Sequence, residues 1–229
     1  TIRHWDMRYF HEINLTQNQK KSCFAFPDKL LINGPLSWKE IYIRGEISKR
    51  FHGVEALRYM KFACFNKKKK YNLSNASIKM LIIGDIDQSE NMGVFETIDN
   101  LSASTLSKLD VTFKPHPANL KFNIRFKNFS YKMSNIPLID LFGKYNIIYS
   151  TNPSSGVLDA YLCGQNIIIY HDLKKLNFSP LLNVKGIKFI NNSSDLEHVL
   201  FNPQKIKNLQ KLFWLDNNYA KWKKIIINT

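Results

Sequence analysis

The sequence predicts an α/β protein with a Rossmann-like, doubly wound parallel sheet. From about residue 28 onward, short apolar runs alternate with helical segments, and turn residues such as Gly34-Pro35, Gly84 and Pro115 follow several of these runs. The composition agrees, because 44% of the 229 residues are apolar and 13% are aromatic, as in a globular protein with a sizeable core.

The predicted strands are short runs of apolar residues bounded by turn residues. One of them, at 121–126, alternates apolar and polar residues as a half-exposed strand does. In chain order the predicted strands are 30–33, 79–83, 111–114, 121–126, 147–149, 167–170 and 187–190.

The predicted helices begin at residues whose side chains satisfy free N–H groups. Three open with a capping box of a serine or aspartate and a later glutamate: Ser37 with Glu40, Asp87 with Glu90, and Ser194 with Glu197. Pro137 opens a fourth helix, for which Gly143 is the predicted C-cap. In chain order the predicted helices are 37–45, 87–99, 138–142, 154–162, 194–203, 206–213 and 217–227.

The first 27 residues hold several aromatic side chains but no recognisable strand-helix unit. We therefore expect residues 1–27 to be a linker or a leading helical segment, and residues 28–229 to form one Rossmann-like domain.

The net charge favours anionic partners. The chain has 33 Lys and Arg against 18 Asp and Glu, which gives a formal charge of +15. Such a field suits phosphorylated small molecules, nucleic acid or an acidic membrane surface. A general enrichment in Lys, Asn and Ile explains the charge equally well. No nucleic-acid partner is expected, because the basic residues are scattered and are not interleaved with aromatics on one element.

Cysteine usage and hydropathy point to the cytoplasm. The three cysteines are widely spaced and form no CxxC pair, so neither a zinc site nor a disulfide framework is predicted. No apolar run approaches the roughly 20 residues that span a bilayer, and the N-terminus lacks a signal pattern. The charge would permit loose peripheral attachment to the anionic inner face of a membrane.

Three polar clusters directly follow predicted strands, where open parallel sheets bind ligands. They are Gly84-Asp85, the run from Pro115 to Asn119, and the run from Ser150 to Ser155. We expect all three to lie at the carboxyl edge of the sheet.

The "NPSSG" run at 152–156 predicts an anion site at a helix start. The free N–H groups of Ser155, Gly156 and Val157 and the helix dipole would attract a phosphate. Ser154 and Ser155 add hydroxyl donors, and Gly156 would let a phosphate approach the backbone. In the simpler interpretation, one serine is the N-cap of the helix.

His116 and Asp85 are the candidate catalytic residues. His116 stands between two prolines that stiffen its turn, so its imidazole could donate to a phosphate or act as a general acid. Asp85 could cap the next helix or serve as nucleophile or base. Glu55 and Arg58 are one helical turn apart and are expected to pair with each other. Neither a GxGxxG nor a P-loop motif is present.

The His-Pro pair and the later Ser-Ser helix start resemble the "HP" and "SS" motifs of bacterial sialyltransferase-like enzymes, which are GT-B glycosyltransferases that use CMP-activated sugars. More of the chain is similar to bacterial surface-carbohydrate-biosynthesis proteins related to Kdo transferases. The matching runs are "WDMRYF", "PDKLLINGP", "VEALRY", "LIIGD", "FKPHPAN", "YSTNPSSGVLDAYLCGQNIIIY", "LNFSPL", "IKFINNSSDLEHVL" and "FWLDNNYAKWKKII".

This resemblance implies the C-terminal, donor-binding half of a GT-B glycosyltransferase of surface polysaccharide (capsule or lipopolysaccharide) biosynthesis. The donor would be a CMP-sugar such as CMP-Kdo or CMP-sialic acid, the acceptor a glycan or glycolipid, with no cofactor or metal. Asp85 would lie near the transferring sugar. The implied nucleotide and phosphate contacts are His116, Pro117, Thr151, Asn152, Ser154, Ser155 and Gly156. Further sugar or structural contacts would come from Glu55, Arg58, Asn119 and Asp159.

Two alternatives stay open. The same fold would serve a UDP-sugar transferase or epimerase, or a CDP-glycerol-type transferase. A non-catalytic module that binds nucleic acid or another anion is the alternative from a different class.

Overall fold

The chain divides into two units, one of residues 67–209 and one of residues 1–66 with 210–229. The structure is a computed structural model that describes residues 29–43, 51–63, 77–119, 124–202 and 211–227. The predicted boundary between residues 27 and 28 and the predicted helix end at Gly45 lie outside these residues.

The strands in the described residues are short, and six of the eight lie close to their predicted positions, whereas those at Phe51–Gly53 and Lys132–Met133 were not predicted. In chain order they are β1 (Leu30–Ile32), β2 (Phe51–Gly53), β3 (Ile78–Ile83), β4 (Leu109–Lys114), β5 (Lys132–Met133), β6 (Ile147–Thr151), β7 (Ile167–Tyr170) and β8 (Lys188–Ile190).

The described helices connect these strands. In chain order they are α1 (Pro35–Ile43), a 3-10 helix (Leu57–Phe62), α2 (Gln88–Asp99), α3 (Ala103–Leu106), α4 (Leu138–Leu141), α5 (Gly156–Leu162), α6 (Ser193–Phe201) and α7 (Ala220–Ile227). None of them is long and apolar enough to cross a bilayer.

In residues 67–209, the described strands form one sheet in the order β5-β4-β3-β6-β7-β8, and every neighbouring pair is parallel. The chain builds outward from β3 to one edge, then returns to the centre at β6 and builds to the other edge. This is the strand order of a doubly wound Rossmann-like sheet. The predicted fold class is confirmed.

The core of this unit lies on both faces of the sheet. Met80, Leu81 and Ile82 are consecutive residues of β3, and each is fully buried. Because successive side chains of a strand point to opposite faces, both faces must be covered. On one side, the Phe95 ring of α2 meets the Phe113 ring of β4 edge-on, at 5.1 Å between centroids.

Two glycines allow close approaches that shape the sheet edge. A Cβ on Gly84, directly after β3, would lie 2.7 Å from the Phe113 ring. A Cβ on Gly93 would lie 2.4 Å from the Tyr170 ring, so the ring would have to shift to admit a side chain here. Both glycines are therefore explained by packing.

The unit of residues 1–66 and 210–229 contains a parallel pair of strands, β1 and β2. Glu55 follows β2, is buried, and accepts hydrogen bonds from the backbone N–H groups of Lys221 (2.9 Å) and Trp222 (3.1 Å) at the start of α7. The predicted pairing of Glu55 with Arg58 is wrong: the Arg58 guanidinium lies 5.6 Å from the centre of the Tyr59 ring.

Some predicted boundaries are also wrong. Helix α1 begins at Pro35, where proline suits the first helical turn, so Ser37 is inside the helix and does not cap it. Helix α6 is capped by Asn192, which accepts from the Asp195 N–H, and Ser194 lies inside it.

Two further predicted elements differ. Residues 124–126 are not a strand, and the edge of the sheet is β5; residues 121–123 lie outside the described residues. Of the helix predicted at 206–213, only residues 211–213 are described, and they are not helical.

We predict that Gly93→Ala destabilises the protein by about 1–3 kcal/mol, because the new methyl group would overlap the Tyr170 ring. Helix propensity alone predicts the opposite sign, a gain of roughly 0.5–1 kcal/mol. Urea unfolding measures the change, with Glu96→Ala, at an exposed position of the same helix, as the control. A stabilised Gly93→Ala variant would contradict this packing.

Candidate functional site

The reversal of strand order places the carboxyl ends of β3 and β6 side by side. The ladder pairs Ile83 with Ser150, so the two chains leave the sheet together. Just beyond, the Thr151 hydroxyl donates to the Asp85 carboxylate, with 3.4 Å between Oγ1 and Oδ2. Both residues are buried. The structure thus brings two of the three predicted polar clusters together at the point where ligands bind in open α/β sheets.

Asp85 also organises the turn into α2. Its Oδ1 accepts from the Asp87 N–H at 3.0 Å, and its backbone N–H and C=O both bond the amide of Asn91, at 2.8 and 2.9 Å. The carboxylate is therefore held in one orientation, towards Thr151. Asp85 does not itself cap α2, as one prediction had it. It holds the backbone N–H of Asp87, which is the residue that caps the helix.

Asp87 is that cap. Its Oδ1 accepts from the Ser89 N–H at 2.8 Å, and this hydrogen bond lowers the pKa of the Asp87 carboxyl. The predicted capping box is only half present, because Glu90 does not return a bond to Asp87. Glu90 is buried, and its carboxylate instead pairs with Lys175 at 2.6 Å.

His116 lies in the loop after β4, the strand next to β3. Its Nδ1 accepts from the Ala118 N–H at 3.1 Å, which places the proton of a neutral imidazole on Nε2. The side chain therefore offers an N–H donor to a ligand. Asn119 donates to the Ile86 carbonyl at 3.3 Å and ties this loop to the one after β3, while Pro117 is exposed.

The Ser-Ser turn differs from its simpler interpretation. Ser155 occupies the N-cap position of α5 with helical torsions (φ −76°, ψ −15°), but its side chain makes no capping hydrogen bond. Ser154 is buried. A Cβ on Gly156 would lie 3.0 Å from Ile83 and 3.1 Å from Leu138, so packing explains this glycine. Asp159 already places a carboxylate in the first turn of this helix.

Sequence reasoning missed the segment after β7, residues 171–176, which we call the β7 loop. Lys175 in this loop pairs with Glu90, and the Leu176 carbonyl accepts from the Asn152 Nδ2 at 3.2 Å. The pairing with Glu90 raises the pKa of Lys175. The sequence could have identified this loop, because "HDLKK" is a polar cluster directly after a predicted strand, as the other three clusters are.

These contacts close a ring around the ends of β3 and β6. Asp85 bonds Asn91, and Glu90, the neighbour of Asn91 in the chain, bonds Lys175. Leu176, which follows Lys175, bonds Asn152, and Thr151, which precedes Asn152, bonds Asp85. The ring connects two strand ends, α2 and the β7 loop. Of the other predicted site residues, Glu55 and Arg58 belong to the other unit.

Comparison with known proteins assigns no family. Neither a protein-family model nor a curated protein matches the sequence. Three solved structures are similar at 10% identity: a glycosyltransferase of kitacinnamycin (TM-score 0.49), the spinosyn rhamnosyltransferase SpnG complexed with thymidine diphosphate (0.46), and the glycosyltransferase SnogD from Streptomyces nogalater (0.44). In the same order, the alignments cover 77%, 78% and 83% of this chain, and 46%, 48% and 60% of the lengths of the three solved structures. The chain thus spans about half the length of these structures, and similarity at this level assigns no activity.

The two candidate caps predict different stability losses. Asp87→Ala should cost about 1 kcal/mol of unfolding free energy, because it removes a capping bond. Ser155→Ala should lower the unfolding free energy by no more than about a few tenths of a kcal/mol, because the Ser155 hydroxyl makes no capping hydrogen bond. Chemical denaturation of both variants checks this. Equal losses would mean that Ser155 caps α5 after all.

The lowered pKa of Asp87 predicts a dependence on acid. An unfolded aspartate binds its proton near the ordinary pKa of 3.8, above the folded value, so the ionised carboxylate stabilises the fold at higher pH. This contribution should disappear as the pH falls below about 4. Asp87→Asn keeps a capping oxygen but does not titrate. Between about pH 5 and about pH 2, the unfolding free energy of this variant should therefore fall less steeply than that of the wild type. Parallel acid profiles would contradict the assignment.

Proposed function

We propose that this chain is the donor-binding part of a glycosyltransferase that uses a CMP-activated sugar. One observation carries the proposal: Asp85 and Thr151 meet at the carboxyl ends of β3 and β6, where the strand order of the sheet reverses. Nucleotides bind at this position in doubly wound sheets. The resemblance of "FKPHPAN" and "NPSSG" to the HP and SS motifs narrows the nucleotide to CMP.

In this proposal His116 stabilises the leaving phosphate. Its Nε2 carries the proton and is directed by the bond that Nδ1 accepts, so it can donate to an anion without rearrangement. The backbone N–H groups of residues 154–156 and the hydroxyls of Ser154 and Ser155 follow β6 and would supply further donors. A preformed donor aimed at developing negative charge is electrostatic catalysis.

Asp85 would act at the sugar. Its carboxylate is ordered by Thr151 and by the Asp87 N–H, so it can hold a fixed position against the transferring carbon or a hydroxyl. The transfer needs an acceptor, a glycan or glycolipid, whose binding half would lie outside the described unit. The setting that fits the resemblance and the charge of +15 is surface polysaccharide synthesis at the cytoplasmic face of a membrane.

Nucleotide titration tests the donor class. We expect isothermal titration calorimetry to show tighter binding of CMP than of UDP or CDP. His116→Ala and Ser154→Ala should each weaken CMP binding about tenfold or more, the loss for one hydrogen bond to a charged group. His198→Ala and Ser104→Ala, at exposed positions on α6 and α3, are the matched controls.

The outcomes separate the alternatives. Tighter binding of UDP or CDP than of CMP would replace the CMP donor with the corresponding transferase or epimerase class. Binding that falls with salt but survives both site substitutions would indicate a non-catalytic anion-binding module. In that case the glycosyltransferase proposal is wrong.

A further inference from the structure

Asn152 has a buried acceptor oxygen that the fold does not use. The residue is 4% exposed, at the end of β6. Its Nδ2 donates to the Leu176 carbonyl, and because a carbonyl can only accept, this bond assigns the two ends of the amide. The other end, Oδ1, is buried and has no hydrogen-bond partner among the described residues. An unpaired buried acceptor is costly, so a donor is expected to meet it.

The adjacent side chains also offer acceptors. The Thr151 hydroxyl gives its only proton to Asp85, which leaves lone pairs. The Asp85 carboxylate is acceptor-only when ionised and has room for more than the two bonds it accepts. Asp85, Thr151 and Asn152 together therefore present oxygen acceptors and one negative charge. A phosphate would be repelled here, whereas an O–H or N–H group would be bound.

The N–H donor of His116 lies on a different loop, after β4. Donors and acceptors are thus supplied by different parts of the same sheet edge, and a ligand with one anionic and one hydroxyl-rich part would bind in a single direction.

We propose that Thr151 and Asn152, beside the Asp85 carboxylate, form a subsite for the hydroxyl or amino groups of the donor's nucleoside, with the phosphate on the side of His116. This deepens the proposed function and rests on it. It also reassigns Thr151 and Asn152, which the sequence resemblance placed at the phosphate.

The β7 loop is fastened beside this subsite by the Asn152–Leu176 bond and the Lys175–Glu90 pair. A ligand group that bonds the Asn152 oxygen should therefore change amide hydrogen exchange in residues 171–176.

Comparison of a neutral with a charged ligand tests the subsite. Ligand-observed NMR titration of the full chain would use cytidine, CMP and inorganic phosphate. Asn152→Leu should weaken cytidine and CMP by the same factor, about tenfold, and leave phosphate unchanged. His116→Ala should weaken CMP and leave cytidine unchanged. Thr151→Val, which is nearly isosteric, provides a second variant if Asn152→Leu does not fold.

Asn100→Leu is the matched control, because that exposed amide also donates to one backbone carbonyl, Glu96, at 2.9 Å. A variant at Asn152 that loses CMP or phosphate but keeps cytidine would place the anion at Asn152 and overturn the subsite. Unchanged binding of all three ligands would also overturn it, since the oxygen would then hold only an internal water.

The proposed function can fail separately. If wild-type protein prefers UMP and uridine, the CMP assignment is wrong and the subsite is tested with that pair in the same way. If it binds no nucleotide or nucleoside, both proposals are wrong.

Discussion

The parallel pairing of β3 with β6 is the contact on which the rest of residues 67–209 depends. These strands are not neighbours in sequence, yet their backbone hydrogen bonds set the register that places Ile83 beside Ser150. The strands that follow β3 and those that follow β6 build outward in opposite directions, so the loops at the carboxyl ends of β3 and β6 diverge, as they do at the ligand sites of open α/β sheets. A slip of one residue in this register would separate the Ser150 hydroxyl from the Ile83 carbonyl, to which it donates at 3.1 Å, and would separate Thr151 from Asp85.

The ring of hydrogen bonds at this edge follows from that pairing. Glu90 and Asn91 are polar and almost fully buried, and such groups are costly unless they are bonded. Each finds a partner across the ring, so the ends of β3 and β6, helix α2 and the β7 loop are held together. A site built on such a network is ordered before a ligand arrives, which favours binding by reducing the ordering that a ligand must impose.

Much of the fold could be predicted because its signals are local. Residues 80–83 and 167–170 are continuous apolar runs, which is how strands buried on both faces are recognised. The placement of Asp85, His116 and Thr151 at one edge follows from the rule for parallel sheets. The helix starts were less predictable. Helix α1 begins at Pro35 and α6 is capped by Asn192, although a serine-glutamate pair lies two residues further along the chain in each case.

By itself, the sequence determined most of the central strands and helices and the polar residues that follow them, because periodicity and turn chemistry act over a few residues. Only the tertiary structure decided the partners of those polar residues. Glu55 bonds the start of α7, Glu90 bonds Lys175, and the Asn152 amide turns its NH₂ to Leu176. Each of these bonds joins residues far apart in the chain, and which groups come within 3 Å or so depends on which strands are adjacent.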